Sequence, residues 1–341
     1  MRVLVDIGHP GHVHFFRPAI ARLRADGHEV ALSARAKDVT VDLLRAFGLE
    51  HRVLSSTARG VYLEYPARLL ALVRLIRDMR PNVVTAVGGA FVAPAARLTG
   101  ARSVVFTDTE HVAADRVLTY PWATRIVTPN VFKKDLPRAH HRYAGLHELA
   151  YLHPARFTPD RSVLGELGLA DEEPFAILRL VSWQAAHDRG HHGFSAADAR
   201  SAAERLGSRA RVFVSAEGPI PEGLLGHRLP LPPHRLHDAL ALARLYLGDG
   251  ATMATEAGLL GTPSVYVSTL VGTMGNFDLL EREGLVRSFR EPAAAVRMAE
   301  ALLADHGAAA AWRERARAFA GHHRDTTDVI CSHLLEVGAG R

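Results

Sequence analysis

Three stretches of this 341-residue chain combine residue types that can bind an anion or move a proton. Leu247-Gly248-Asp249-Gly250-Ala251-Thr252-Met253-Ala254-Thr255-Glu256 reads as an apolar strand, a small-residue turn and a helix start. With little side chain in the way, Gly250 and Ala251 let a phosphate approach the main chain. The free N–H groups of the first turn, through Thr252, add partial positive charge there. Glu256 follows within two turns, where a carboxylate can accept hydrogen bonds from ribose hydroxyls or simply complement the helix dipole. The second stretch, Asp6-Ile7-Gly8-His9-Pro10-Gly11-His12-Val13-His14, is a histidine-rich turn in which Gly8 and Gly11 permit tight backbone geometry. His12, at a helix start, can be held neutral by the dipole and act as a general base near pH 7. His9 and His14 suit hydrogen bonds that shape the turn, and no partner completes a tetrahedral site, so no metal is expected. The third stretch, Thr107-Asp108-Thr109-Glu110-His111, sets Glu110 where it can take a proton or cap a helix.

These residues need a scaffold that gathers them, and the hydrophobic pattern supplies one. Strand-like runs at 2–7, 29–33, 51–54, 82–87, 102–106 and 125–128 alternate with helical periodicity at 12–25, 39–47, 65–79 and 91–98. Glycines 27, 48 and 100 suit helix C-caps. After the polar stretch 153–173 the alternation resumes, with strands at 175–181, 212–215, 244–247 and 264–267. Such alternation predicts parallel sheets built by right-handed crossovers, and so an α/β chain of two doubly wound domains facing a cleft at the carboxyl ends of their strands. The expected division is 1–160, 161–320, and a C-terminal helix within 321–341 that packs back on the first domain.

Apolar content of 48% and charged content of 23% describe a globular chain without long disordered tracts. A single cysteine, Cys331, excludes an internal disulfide and a thiolate metal cluster, and is expected to be buried or inert. A strand beginning at residue 2 leaves no room for a signal peptide, and no apolar run nears the roughly 20 residues of a membrane span, so a cytoplasmic protein is expected. The net charge of +5 and pI near 9.6 favour an anionic ligand or surface. No basic run or nucleic-acid-binding motif is present, and nucleic acid is not an expected partner.

The motifs carry a resemblance. Gly8-His9-Pro10-Gly11-His12, followed by Gly27-His28-Glu29-Val30, resembles the opening of the glycosyltransferase-B superfamily as seen in the lipid-II-forming N-acetylglucosaminyltransferases, with His12 on the family histidine. The stretch 107–111 resembles their His-Glu-Gln-Asn segment. The spacing of Asp249 and Glu256 resembles the Asp-Ser-Gly-Gly motif and later glutamate of the UDP-N-acetylglucosamine 2-epimerases, which implies diphosphate held at 250–252 and ribose held by Glu256. Ser182-Trp183-Gln184-Ala185-Ala186-His187-Asp188-Arg189-Gly190 loosely resembles the epimerase His-Arg-Arg-Glu-Asn segment, lacks its Glu-Asn, and implies phosphate contacts from His187 and Arg189. Over nearly its full length, through Arg179 and Gly275-Asn276, the chain is similar to the family of domain of unknown function 354.

The resemblance implies a glycosyltransferase-B-like fold and a metal-independent glycosyltransferase that needs no cofactor beyond a nucleoside-diphosphate sugar as substrate, UDP-sugar favoured. Arg179 or Arg189 would neutralise the leaving diphosphate, and His12 or Glu110 would take the acceptor's proton. Asn276 would touch sugar or phosphate unless it is a helix N-cap, and His234 or Arg235 would meet the base. A nucleotide-sugar epimerase using Asp6, Asp108, Glu110 and Asp188 is the alternative, and a non-catalytic nucleotide-sugar-binding protein a second. The acceptor would be a glycan or lipid-linked. The helix near 65–80, apolar at Leu69, Leu72, Val73 and Ile76 with Arg74, Arg77 and Arg80 elsewhere around it, either rests on the inner face of a membrane or covers the sheet.

Overall fold

The computed structural model describes residues 1–56, 61–110, 114–136, 139–181 and 193–340, with the backbone alone for 61–63. The chain packs as two units, Met1–Arg156 with His323–Arg341, and Phe157–His322.

In the first unit seven strands run β1 (Arg2–Ile7), β2 (Glu29–Ala36), β3 (Arg52–Ser56), β4 (Val83–Val87), β5 (Arg102–Phe106), β6 (Arg125–Pro129) and β7 (His140–Tyr143). They pair in the order β3-β2-β1-β4-β5-β6-β7, and every pairing is parallel. The helices are α1 (Pro10–Ala25), α2 (Thr40–Ala46), α3 (Val61–Met79), α4 (Val92–Thr99), α5 (Asp115–Leu118) and α6 (Leu149–Leu152). Central strand β1 is apolar on both faces, with Val3, Leu4, Val5 and Ile7 all buried, because helices cover both sides of a parallel sheet. Phe15, Phe16, Ile20 and Leu23 of α1 close one side, each such side chain contributing about 1.5–3 kcal/mol on burial. Gly27 and Gly100 sit at helix ends with φ of 79° and 73°, the left-handed geometry expected of C-terminal glycines.

Leu72, Val73, Leu75 and Ile76 of α3 are buried in this core, so the apolar face of that helix covers the sheet, while Leu70 is exposed. Strand β7, His-His-Arg-Tyr, lacks an apolar run because it is the sheet edge, which is why composition does not reveal it.

The second unit holds β8 (Phe175–Leu180), β9 (Arg211–Ala216), β10 (Leu245–Gly248), β11 (Ser264–Val267) and β12 (Val286–Phe289), paired in parallel as β12-β11-β10-β8-β9. Its helices are α7 (Ser162–Glu166), α8 (Ala196–Gly207), α9 (Leu236–Leu242), α10 (Ala251–Leu259), α11 (Gly275–Arg282), α12 (Pro292–Ala304) and α13 (Ala308–His322). Ser195 opens α8 with a reciprocal capping box to Asp198. Trp312 of α13 donates its indole N–H to the Leu285 carbonyl at 2.7 Å, satisfying a buried donor.

The chain then re-enters the first unit as α14 (Thr326–Gly338), which packs on α1, α6 and β5. Thr326 and Thr327 anchor it by donating their hydroxyls to the carbonyls of Leu146 at 2.7 Å and Ala150 at 2.8 Å. Among the described residues no helix is long and apolar enough to cross a membrane.

Each sheet reverses its direction of growth once. In the first unit the chain builds outward from β1 to β3, then returns to place β4 on the other side of β1. In the second it goes from β8 to β9, then returns to place β10 beside β8. The loops at such reversals diverge and leave a crevice at the carboxyl ends of the strands. Gly8 follows β1, and Asp249 follows β10.

Candidate functional site

In the second unit, β8 and β10 deliver Arg179 and the 248–250 turn to the same place. Gly250 is the extended N-cap of α10, with φ −89° and ψ 108° and no side-chain cap. Ala251 is half-buried and Thr252 exposed, so the start of the helix is open on that side. Packing against β8 requires glycine at 248 and leaves little room at 250. A Cβ on Gly248 would lie 2.7 Å from the Arg179 Cβ, and one on Gly250 would lie 3.1 Å from the Arg179 Cγ.

Arg179 is oriented by two acceptors. Its Nη1 donates to Ser215 Oγ and its Nη2 to Glu217 Oε1, both at 2.7 Å, with the arginine side chain 18% exposed. An uncapped helix start with an arginine side chain packed against its turn is an arrangement suited to an anion.

Asp249 has a role its position in the motif did not reveal. The carboxylate is buried and accepts the Val181 N–H at 2.8 Å through Oδ1 and the Phe194 N–H at 3.1 Å through Oδ2. It thereby ties down both flanks of 182–192. His187 and Arg189, expected to contact phosphate, lie outside the described residues, as do His111, Asp188, His191 and His192.

Glu256 is more deeply placed than a ribose contact at the surface would be. Its Oε1 lies 3.0 Å from Nε2 of His237 on α9, with both side chains buried. Arg235 is occupied by structure: it donates to Glu166, Asp160, Asp238 and Ser162 over 2.7–3.0 Å. This removes it as a base contact. His234 beside it is half-buried in the turn Pro233–Arg235. Asn276 is the second residue of α11, whose N-cap is Met274, so the capping reading of Asn276 fails.

In the first unit, His9 caps α1 by accepting the Gly11 N–H at 3.2 Å, and His12 sits one turn in, accepting the Gly8 N–H at 3.3 Å through Nδ1. Neither Gly8 nor Gly11 has a positive φ, and a Cβ on either would make only ordinary contacts of 3.7 and 3.5 Å with His12 and His9. The backbone of the turn therefore does not demand glycine, contrary to the sequence expectation. His14 is buried between the rings of Phe47 and Tyr151, a packing position. Burial, then the positive character of His9, His147, Lys37 and Arg68, pushes the pKa of His12 well below the usual histidine range, and the residue as a whole is half-buried.

Asp6 does not stand free as an acid. Nη2 of Arg68, itself 1% exposed, donates to both its oxygens at 2.9 Å, and Ser33 Oγ donates at 2.7 Å. Glu64 continues the network through Arg35 and Ser55. Arg68 carries a sequence signal: it stands four residues before Leu72 on the buried stripe of α3.

Glu110 is 5% exposed and accepts the Lys133 N–H at 3.4 Å, while its own carbonyl accepts from the Lys134 ammonium. Asp108 is more open, with its side chain 22% exposed, and Nδ1 of His147 lies 3.5 Å from its Oδ2. His147 is a participant that no local pattern marks, since it reaches Asp108 only through the fold. Among the described residues no group of three or more histidine, cysteine, aspartate or glutamate side chains is placed to hold a metal ion.

The family described as protein of unknown function (DUF354) matches residues 1–287. An uncharacterised protein of Methanocaldococcus jannaschii is 23% identical over 302 residues, covering 84% of this chain and 87% of its own. The UDP-GlcNAc 2-epimerase of Neisseria meningitidis bound to UDP-GlcNAc superposes with a TM-score of 0.68 at 14% identity, over 98% of this chain and 100% of that one. Spinosyn rhamnosyltransferase complexed with thymidine diphosphate superposes with a TM-score of 0.64 at 15% identity, again over 98% and 100%. Two parallel-sheet, Rossmann-like domains of the glycosyltransferase-B type are thereby shown, and at these identities the likeness speaks for the fold alone.

Proposed function

The chain belongs to the DUF354 family of proteins of unknown function, and from that premise we propose that it is a metal-independent glycosyltransferase that takes a nucleoside-diphosphate sugar, UDP-sugar in preference. The observation that carries this reading is the uncapped start of α10 with the Arg179 side chain packed against its turn, at the strand reversal of the second unit. Two proteins of the same fold are bound to UDP-GlcNAc and to thymidine diphosphate, which supports a diphosphate as the ligand.

The second unit would bind the donor. Backbone N–H groups at 250–252 would hold the diphosphate, Arg179 would offset its charge, and Asn276 and His234 would meet sugar and base. Glu256 would hold the ribose directly or through its His237 partner. His187 and Arg189 would add phosphate contacts. The first unit would activate the acceptor, a glycan or lipid-linked hydroxyl. As that oxygen bonds to the anomeric carbon, the bond to the diphosphate breaks, the diphosphate leaves with the electron pair, and the hydroxyl proton passes to a side chain of the first unit. Stabilising the departing charge is the main electrostatic task, and a helix start plus an arginine can perform it without a metal.

The epimerase reading is the weaker one, because of the acids it calls on among the described residues Asp6 is neutralised by Arg68 and Glu110 is enclosed, which leaves Asp108. Calorimetric titration with UDP, thymidine diphosphate and UDP-N-acetylglucosamine, repeated on Arg179→Gln, tests the donor site. We expect binding that the substitution weakens by about tenfold or more, in keeping with a charge-assisted hydrogen bond. Unchanged affinity in the variant, or no binding of any of the three, would remove the basis of the proposal. Label from the sugar recovered on a second molecule identifies the transferase, free sugar the epimerase, and binding without product a non-catalytic binder.

A further inference from the structure

We propose that His12 serves the substrate as a hydrogen-bond donor through Nε2–H, and that the proton acceptor of the first unit is the Asp108 carboxylate, positioned by His147. This deepens the proposed function and rests on it for the identity of the substrate, while the protonation pattern stands on the geometry.

A backbone amide can only donate. The Gly8 N–H directed at His12 Nδ1 at 3.3 Å therefore requires a lone pair on that nitrogen, and the neutral ring carries its hydrogen on Nε2. To act as a base through Nε2 the ring would need the opposite tautomer, which sets an N–H against the Gly8 N–H. A second proton is disfavoured as well. Among the described residues the groups facing the ring are His9 at the cap of its own helix, His147, Lys37 after β2 and Arg68 on α3, all of them basic, and burial acts in the same direction. A ring that stays neutral with Nε2–H outward is suited to an oxygen that gains negative charge.

Asp108 has the complementary character. It follows β5, its side chain is 22% exposed, Thr109 Oγ1 donates to its Oδ1 at 3.1 Å, and its Oδ2 lies 3.5 Å from His147 Nδ1. The His147 side chain is 9% exposed, wedged against Phe15 with ring centroids 4.6 Å apart, and its Nε2 has no hydrogen-bond partner among the described residues. At 3.5 Å the pair is an electrostatic contact, and the negative charge of the carboxylate favours the His147 hydrogen on the facing Nδ1. His147 is a positioning residue: it holds Asp108 in one orientation and makes no outward contact of its own. Asp108 and His12 belong to one cluster, because His147 touches the first and faces the second.

The test uses the full chain labelled with nitrogen-15 in histidine, with ring signals assigned from the peaks missing in His12→Gln and His147→Gln. At pH 7 we expect His12 Nδ1 to resonate as a bare nitrogen and Nε2 as a protonated one, with the reverse pattern for His147. Replacing Asp108 by Asn should shift the His147 Nδ1 signal and leave His12 unchanged. A protonated Nδ1 or an imidazolium at His12 would overturn the donor role, and a His147 indifferent to Asp108→Asn would overturn the pair. Both results read the proposal whether or not the donor sugar is correctly identified. Kinetics with UDP-N-acetylglucosamine add a functional arm. His12→Gln, which keeps an N–H, should stay within about tenfold of wild type, His12→Ala should fall by roughly 100-fold or more, and Asp108→Asn by about 100- to 10,000-fold. Equal losses in His12→Gln and His12→Ala, or full activity in Asp108→Asn, would refute it.

Discussion

Nε2 of His237 lies 3.0 Å from Oε1 of Glu256, and the two side chains are 9% and 6% exposed, so the carboxylate that the motif offers to a nucleotide is also a strut between α9 and α10. The two uses separate experimentally. Glu256→Ala should lower the unfolding free energy without ligand by about 1–3 kcal/mol, because it leaves His237 buried beside an empty acceptor position. It should also weaken nucleotide binding. Denaturant unfolding of the free protein measures the first effect; an unchanged midpoint would show that the strut carries no load in the unliganded chain.

The Asp6–Arg68 pair is buried on both sides, and breaking it strands a charge. Arg68→Met should cost about 3–5 kcal/mol, and Asp6→Leu in the same chain should recover much of that loss. Urea midpoints of the single and double variants decide. A double variant no more stable than Arg68→Met would mean that the remaining network, through Ser55 and Glu64, depends on Arg68 more than Asp6 does.

Asp249 fastens Val181 and Phe194 by their amides. Asp249→Asn keeps one acceptor and turns an amide NH₂ toward the other N–H, so hydrogen exchange at one of these two amides should accelerate by roughly 10-fold or more, the equivalent of about 1–3 kcal/mol. Exchange rates unaltered at both positions would contradict the clamp.

Histidines give the first unit an acid limit. Burial, then Arg125 and His141, holds His333 down to about 4, and burial lowers His140, His141 and His147 in the same direction. A depressed histidine stabilises the fold fully above its unfolded pKa near 6.5, and that stability is lost as pH falls toward the folded value, because the unfolded chain takes up the proton first. Denaturation midpoints should therefore decline between about pH 6.5 and 4, and His333→Gln should flatten the decline. The same slope in variant and parent would remove His333 as a contributor.

Cys331 is buried on α14 and its thiol is pushed up to about 11, chiefly by burial. Reaction with a thiol reagent at pH 8 should be at least tenfold slower in the native protein than in denaturant. Equal rates would place the thiol at the surface.

The alternating apolar runs make both sheets readable from the chain, since a parallel strand covered on two faces has little room for polar residues. Strands β7 and β12 escape for opposite reasons: His-His-Arg-Tyr is a polar edge, and Val-Arg-Ser-Phe is short and mixed. The small-residue turn at 248–250 was legible as a turn, yet the tight contact with Arg179 that demands glycine there was not, because it comes from a strand distant in sequence. Asp6, read as a free acid, lost that character to Arg68, 62 positions away, and the His147–Asp108 pair arises the same way. Composition can nominate a carboxylate; what neutralises it is decided by tertiary packing.

Arg156 ion-pairs with Asp325 at 2.8 Å, at the two points where the chain leaves the first unit and re-enters it. Entry and exit are thus riveted side by side within the first unit, and Phe157–His322 is, in chain order, an insert between them. Joining residue 156 to 323 through a short linker should close the host on itself, so the two units can be exchanged between homologous chains independently of each other.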